Sequence, residues 1–115
     1  MIWKGNAMEL TTVKLVTIIA EAVLEERLLH DLRHLGARGY TVGTVRGEGT
    51  RGIRASEWEG KSLRIETLVN AEVAEKILQH LATAYFPHFA VIAYAMDVQV
   101  VQGAKFRGEE GGDKK

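Results

Sequence analysis

Hydrophobic residues follow two different periods in the first half of the chain. A nearly continuous run of aliphatic and β-branched residues over 10–19 predicts a central strand that is covered on both faces. Leucines then recur at helical spacing, with glutamates early and basic residues late, and they predict a helix over 22–35. Strand-forming residues at 40–46 predict a second strand.

The second half repeats this order. Alternating apolar and polar residues at 63–69 predict a half-buried strand that forms a long hairpin with the second one. A further strand is predicted at 90–101, after Pro87, the only proline of the chain. Between them, a helix opening at the N-cap Asn70 and running to about residue 85 is indicated by apolar residues on one face: Ala74, Ile77, Leu78, Leu81 and Tyr85.

The order β-α-β-β-α-β predicts a ferredoxin-like α+β fold, in which a four-stranded antiparallel sheet carries both helices on one face. At 115 residues and 12.7 kDa the chain is long enough for one domain. Strands that are apolar on both faces would leave a large apolar surface in water on the side without helices. We therefore expect a symmetric oligomer.

Three parts of the chain are predicted. Residues 1–7 precede a second methionine, Met8, and are expected to be a disordered leader or an alternative start. Residues 8–103 form the domain, with a long loop at 47–62 between its second and third strands. Residues 104–115 are glycine-rich and charged and are expected to form a C-terminal loop and mobile tail.

Charge and composition exclude several classes of protein. The 15 basic residues balance 15 acidic ones, so net charge gives no support for a nucleic-acid partner. The absence of cysteine excludes disulfides and thiolate sites. We find no signal peptide and no apolar run long enough to cross a bilayer, so no direct membrane insertion is expected. A cytoplasmic location is expected.

Segment 47–60 carries the most distinctive chemistry. It holds four glycines and two arginines without a periodic apolar face. Glycines let backbone N–H groups approach a phosphate, and Arg51 and Arg54 would supply forked cationic donors. Composition alone leaves open a mobile hairpin tip with solvated charges. Trp58 is a candidate for docking a protein partner, with simple packing as the alternative.

No enzyme or metal site is predicted. His30 and His34 stand four residues apart on a predicted helix, but no His-Glu-x-x-His motif accompanies them and the face is expected to be solvated. No Ser-His-Asp order, paired-carboxylate cleft or Walker loop can be assembled. We therefore expect a protein without catalytic residues and without a metal.

The motifs resemble those of the PII signalling superfamily over about residues 8–112. The resemblance rests on the order of elements, on Gly39-Tyr40-Thr41-Val42 before the second strand, and on the long loop after it. The loop is most similar to the PII-like branch tied to inorganic carbon, the SbtB-type bicarbonate-transporter regulators and carboxysome-associated PII proteins. That branch has a Gly-x-Gly-x-Arg-x-x-Arg pattern, which here reads Gly47-Glu48-Gly49-Thr50-Arg51-Gly52-Ile53-Arg54.

This resemblance implies a homotrimer that binds an adenine nucleotide in each cleft between neighbouring subunits. AMP or ADP is the expected ligand, with ATP and cyclic AMP as further candidates and bicarbonate beside the phosphates. The implied partner is a bicarbonate transporter or a carboxysome component. The positions implied for base and ribose are Gly39, Tyr40, Thr41, Val42, Glu66, Leu68, Phe89, Ala90, Val91 and Ile92. The positions implied for phosphates are Arg46, Gly47, Gly49, Arg51 and Arg54.

Two readings stay open for single residues. Thr41 could pack beside Val42 instead of bonding a ligand, and Glu66 could pair with Arg64 two residues away. Two other functions are also open: slow hydrolysis of ATP or ADP in the same cleft, and a structural trimer that docks a protein through Trp58.

The sequence departs from the family pattern at two places. Thr50-Arg51 and the run 89–92 replace the glutamine and the glycines plus lysine that nitrogen-sensing members use, which argues against sensing of 2-oxoglutarate. Many SbtB-type proteins also close a C-terminal loop with two cysteines. Because this chain has none, redox switching by that route is chemically impossible.

Overall fold

The computed structural model describes residues 9–47 and 61–101. Four strands form one sheet in the order β2-β3-β1-β4, and every neighbouring pair is antiparallel. The predicted ferredoxin-like order of elements is confirmed. In chain order the elements are β1 (Leu10–Glu21), a 3-10 turn (Ala22–Leu24), α1 (Glu25–Leu35), β2 (Thr41–Val45), β3 (Ser62–Val69), α2 (Ala71–Ala84) and β4 (Ile92–Val101).

The first helix and the last strand begin later than the sequence predicts. The first helix begins at Glu25 and not at residue 22, since β1 continues to Glu21, which pairs with Ser62 of β3. The Ala22 N–H then donates to the Lys61 carbonyl over 3.0 Å, which holds the backbone to the neighbouring strand for one residue more.

The last strand begins at Ile92 and not at residue 90. The N–H groups of His88 and Phe89 donate to the Tyr85 carbonyl over 2.9 and 2.8 Å, so the chain turns tightly before it can extend. The predicted cap of α2 is confirmed, because Asn70 Oδ1 accepts a hydrogen bond from the Val73 N–H over 2.8 Å.

The core lies between the helices and one face of the sheet. Alternate residues of β1 and β3 point toward the helices, as the two-residue period of a strand requires. None of the helices in the described ranges is long and apolar enough to cross a membrane. The most deeply buried core side chains are Val16, Ile18, Leu28, Leu32, Ile65, Ile77, Leu81 and Tyr85.

The opposite face of the sheet is apolar and exposed along β4. Ile92, Tyr94 and Met96 are 38%, 43% and 49% exposed. Their partners on β1 are Ile19, Thr17 and Leu15, which lie on the same face. We call this surface the apolar sheet face.

Candidate functional site

A cleft of about 400 Å³ opens where the chain leaves α1 and enters β2. This volume falls in the range of small-molecule sites, which is about 300–1,000 Å³. We call it the β2–β3 cleft. Its lining combines apolar side chains from the two central strands with polar groups from the segment before β2: Leu15, Arg38, Gly39, Tyr40, Thr41, Glu66, Thr67 and Leu68.

The turn after α1 directs the chain toward this cleft. Gly36 has φ 117°, in the left-handed region that favours glycine at the end of a helix. Its N–H donates to the Arg33 carbonyl over 3.1 Å, and the next N–H, of Ala37, donates to the Leu32 carbonyl over 3.0 Å. A Cβ atom at Gly36 would lie 3.1 Å from Val73 Cγ2, so the turn also packs closely on α2.

A buried hydroxyl fixes the backbone that forms the rim. Thr67 is 2% exposed, and its Oγ1 donates to the Gly39 carbonyl over 2.7 Å. Since a buried hydroxyl needs a hydrogen-bond partner, this bond ties the entry to β2 to the middle of β3. The position of residues 39–41 is therefore set by β3.

Two predicted residues lie directly opposite each other in the cleft. Thr41 on β2 pairs with Glu66 on β3, so their Cβ atoms are about 5 Å apart. Leu68 lies two residues along β3 on the same face and pairs with Leu15 of β1. The hydroxyl of Thr41 and the half-buried carboxylate of Glu66 thus lie beside the apolar side chains of Leu15 and Leu68. This arrangement suits a ligand with a flat ring and attached hydroxyl groups.

Two arginines bring positive charge to the segment before β2 that lines the cleft. Arg33 Nη2 donates to Tyr40 Oη over 2.8 Å, and its guanidinium carbon lies 5.6 Å from the centre of the Tyr40 ring. Arg38 also lines the cleft. A cleft lined by both a guanidinium and a carboxylate can take a ligand that has an anionic group and hydrogen-bond donors.

The second predicted group, segment 89–92, lies at the far edge of the sheet. Ile92 begins β4, and β4 is separated from β2 by two central strands. Three strand spacings correspond to about 14 Å. Within one chain the β2–β3 cleft therefore does not include segment 89–92.

A partly buried polar network joins the two helices and contacts segment 89–92 through Phe89. The fully buried Tyr85 donates from Oη to Asp31 Oδ2 over 2.6 Å, and His80 Nε2 contacts the same oxygen at 2.9 Å. The guanidinium carbon of Arg27 lies 4.9 Å from the Tyr85 ring centre and 5.5 Å from that of Phe89.

The network shifts the pKa of two of its members. Burial raises the pKa of Asp31, but the hydrogen bonds from Tyr85 and His80 and the charge of His80 outweigh it, so the pKa lies below its ordinary value. Burial, followed by the hydrogen bond to Asp31 and its negative charge, raises the pKa of Tyr85 above its ordinary value. Asp31 is therefore an ionised acceptor at neutral pH, and Tyr85 is its neutral donor.

Other predicted residues lie away from the cleft. Val42 packs against the core on the helix side of β2. Arg46 and Gly47 follow the far end of β2, about 17 Å along the strand from Thr41. In the described part of the chain Arg64 and Glu66 form no ion pair, so the alternative pairing is not seen. Four predicted residues lie outside the described ranges: Gly49, Arg51, Arg54 and Trp58.

Sequence reasoning missed three of the residues that line the cleft. Thr67 occupies a polar position in a buried row with Leu63, Ile65 and Val69, and that break in the pattern could have indicated a buried hydrogen bond. Arg38 precedes the predicted run 39–42 directly. Nothing in the sequence marks Leu15 as a cleft residue, because its position beside Leu68 depends on the register between β1 and β3.

The described ranges contain no cluster of three metal-ligating side chains. Among residues 9–47 and 61–101, no group of three or more His, Asp or Glu side chains is arranged to hold a metal ion.

Comparison with known proteins agrees with this architecture. A PII-like signaling protein from Thermus thermophilus is 55% identical, with 87% of this chain and all of that chain covered and a TM-score of 0.76. The protein CPII from Thiomonas intermedia, in a structure bound to ADP and bicarbonate, is 25% identical, with coverage of 88% and 100% and a TM-score of 0.74.

A second CPII structure, bound to ADP, AMP and acetate, is 24% identical, covers 86% of this chain and 98% of its own, and gives a TM-score of 0.76, which supports the fold. The family model described as Nitrogen regulatory protein P-II matches residues 13–105, most of the chain. On this match the chain belongs to the PII family.

Proposed function

We propose that this protein is a non-catalytic, homotrimeric PII-like signalling protein of the cytoplasm. It binds AMP or ADP in clefts between neighbouring subunits, with bicarbonate beside the phosphates. Through its 47–62 loop it regulates the uptake or fixation of inorganic carbon.

The observation that carries the proposal is the β2–β3 cleft. Five residues that the family resemblance assigned to base and ribose line this one cleft: Gly39, Tyr40, Thr41, Glu66 and Leu68. The carboxylate of Glu66 can accept hydrogen bonds from ribose hydroxyls, while Leu15 and Leu68 offer an apolar surface to a base. Arg38 supplies a cation near the anionic end of such a ligand.

The residues predicted to bind the ligand fall into two separate groups within one chain, which supports a binding cleft between subunits. The lining of the β2–β3 cleft does not include segment 89–92, and β2 and β4 are the two edge strands of the sheet, so a neighbouring subunit could supply that segment to the ligand. In a closed ring, the β4 edge of one subunit can meet the β2 edge of the next. The apolar sheet face supplies the surface that such an assembly would bury.

The ligand class is supported by the neighbours. The CPII structure at 25% identity contains ADP and bicarbonate, and the Thermus protein at 55% identity is described as PII-like signaling. AMP and the carbon-linked partners come from the sequence resemblance. The same resemblance assigns the phosphates to Arg51 and Arg54, whose charge would couple nucleotide binding to the segment that a partner recognises.

The test is isothermal titration of the chain with AMP, ADP, ATP and cyclic AMP, each with and without bicarbonate. We expect micromolar binding of AMP or ADP with one site per subunit, and tighter binding when bicarbonate is present. No heat with any nucleotide would overturn the nucleotide assignment. Equal nucleotide affinity with and without bicarbonate would overturn the proposed role in inorganic carbon regulation.

Matched variants locate the ligand. Glu66→Gln should weaken ADP binding about tenfold, the loss of one charge-assisted hydrogen bond. The control Glu75→Gln changes an exposed carboxylate on α2 and should bind like the wild type. Replacing Arg51 and Arg54 by alanine should weaken binding while the oligomer persists, with Lys76→Ala as the control for lost charge. Unchanged affinity in the double variant would remove the phosphate assignment.

A further inference from the structure

Two histidines form a close pair on the outer surface of α1. His30 and His34 are both exposed, and their ring centres are 4.3 Å apart with an angle of 42° between the planes. The pair lies in the last two turns of α1, which ends at Leu35. It takes no part in the β2–β3 cleft or in the Asp31 network beyond the charge of His30 near Asp31.

The hydrogen bond of His34 fixes which nitrogen is free. Its Nδ1 lies 3.2 Å from the His30 carbonyl oxygen. Because a carbonyl oxygen can only accept, Nδ1 carries the proton, and Nε2 of the neutral ring keeps its lone pair. A histidine whose Nδ1–H is held by a backbone carbonyl is the usual arrangement in metal sites.

The ring nitrogens of His30 are also available to a metal ion. Within the described part of the chain, neither of its ring nitrogens has a hydrogen-bond partner. Asp31, the next residue, is already engaged by Tyr85 and His80 and cannot turn toward the pair.

The spacing of the rings matches two imidazoles on one metal ion. With metal–nitrogen distances of about 2.0–2.1 Å and a ligand angle between right-angled and tetrahedral, the ring centres would be about 4.5–5 Å apart. The observed 4.3 Å is only slightly shorter. Residues four positions apart lie on one face of a helix, and two histidines at this spacing can bind one zinc ion.

We infer that His30 and His34 form a two-histidine site for a late first-row divalent ion, Zn²⁺, Ni²⁺ or Cu²⁺. Imidazole nitrogen is a preferred ligand for these metals. The sequence predicted no metal because the spacing alone had no supporting motif. The structure adds the paired rings and the fixed nitrogen of His34, and the remaining coordination positions are open to water or an added ligand.

The site would connect two residues one turn apart near the end of α1, so bound metal should stabilise that turn. The inference uses no residue of the β2–β3 cleft. Its test is therefore independent of whether the protein binds a nucleotide.

The experiment titrates the full chain with ZnCl₂ and NiCl₂ by calorimetry and records electron paramagnetic resonance spectra with Cu²⁺. We expect one ion per chain and a copper spectrum with two nitrogen ligands. His30→Ala and His34→Ala should each weaken binding at least tenfold, and His30→Asn provides a second variant that keeps a polar side chain. Circular dichroism checks that the helices persist.

The matched control is His88→Ala, which removes an exposed histidine whose ring faces Phe89 at 6.2 Å and no other histidine. It should bind metal like the wild type. The inference is overturned if His88→Ala weakens binding as much as the pair variants do, if the double variant of His30 and His34 binds like the wild type, or if copper shows a single nitrogen ligand.

Discussion

Thr67 Oγ1 donates a 2.7 Å hydrogen bond to the carbonyl oxygen of Gly39, across the gap between the middle of β3 and the segment before β2. Thr67 is 2% exposed, so its hydroxyl has little access to water and this carbonyl is its partner. A partly buried hydrogen bond between two residues 28 positions apart thus holds one wall of the β2–β3 cleft at a fixed distance from the other. Both the geometry of the cleft and the stability of the fold therefore depend on Thr67 Oγ1.

We expect Thr67→Val to lower both stability and affinity. Valine keeps the shape but removes the hydrogen bond to the Gly39 carbonyl, which should cost about 0.5–1.5 kcal/mol of unfolding free energy. Urea denaturation measures this change, and calorimetry with ADP measures the accompanying loss of affinity.

The control is Thr83→Val, which removes a hydroxyl that donates to the Gln79 carbonyl over 3.0 Å on the exposed side of α2. It should change stability by less than about 0.5 kcal/mol. If both variants lose the same stability, the Thr67 bond has no special role.

Tyr85→Phe tests the network behind segment 89–92. The variant keeps the buried ring and removes the Oη donor to Asp31, so we expect a loss of about 2 kcal/mol, the range for a hydrogen bond to a charged acceptor. Asp31 keeps His80 as a partner, which limits the loss. Thermal or urea unfolding at pH 7 measures it. Wild-type stability in the variant would mean that solvent replaces the hydroxyl.

The stability difference between the wild type and Tyr85→Phe should depend on pH in two windows. The pKa of Asp31 is lowered in the fold, so its contribution is present above the ordinary value of 3.8 and is lost as pH falls through the folded pKa. The pKa of Tyr85 is raised, so its contribution is present below the ordinary value of 10.0 and is lost as pH rises toward the folded pKa.

We therefore expect a constant difference between about pH 5 and pH 9, and a smaller one outside this range. Urea denaturation of both proteins from pH 3 to pH 11 provides the measurement. A difference that stays constant over the whole range would contradict the assignment of these two shifts.

The fold was predictable from periodicity, because each element has a clear apolar pattern. Errors occurred at junctions where one specific hydrogen bond decides the outcome. The alternation of apolar residues cannot show that the Ala22 N–H donates to Lys61, or that two N–H groups converge on the Tyr85 carbonyl. These bonds moved the start of α1 to Glu25 and the start of β4 to Ile92.

The lining of the candidate cleft was predictable only in part. Motif resemblance located residues 39–41, Glu66 and Leu68, which the register brings to one cleft. It also included Val42, which points to the core because neighbouring residues of a strand face opposite sides. Leu15 and Thr67 could not be assigned, since their roles arise from strand pairing between distant segments.

Gly36→Ala should destabilise the turn that leads into the cleft. A residue with a Cβ atom pays about 1–2 kcal/mol in the left-handed region, and Val73 Cγ2 would lie only 3.1 Å away. Gly43→Ala is the control, because an added Cβ there meets nothing within 4 Å and its φ lies outside that region. Unfolding curves of the two variants should separate clearly. Equal stability would mean that the turn relaxes at no cost.

Assembly and ligand binding should be lost together when the apolar sheet face is charged. Tyr94→Glu places a carboxylate at a position that is 43% exposed in the single chain and would be buried in the proposed trimer. Multi-angle light scattering should show the wild type as a trimer and this variant as a smaller species.

ADP affinity should fall in the same variant although Tyr94 does not line the β2–β3 cleft, because separated subunits cannot bring segment 89–92 to the ligand. Val23→Glu is the control, since Val23 is 65% exposed in the 3-10 turn before α1, away from the apolar sheet face. It should keep both the trimer and the affinity. A monomeric Tyr94→Glu variant that binds ADP with wild-type affinity would show that one chain contains the whole site, and the cleft would then have to be completed by residues of the same subunit.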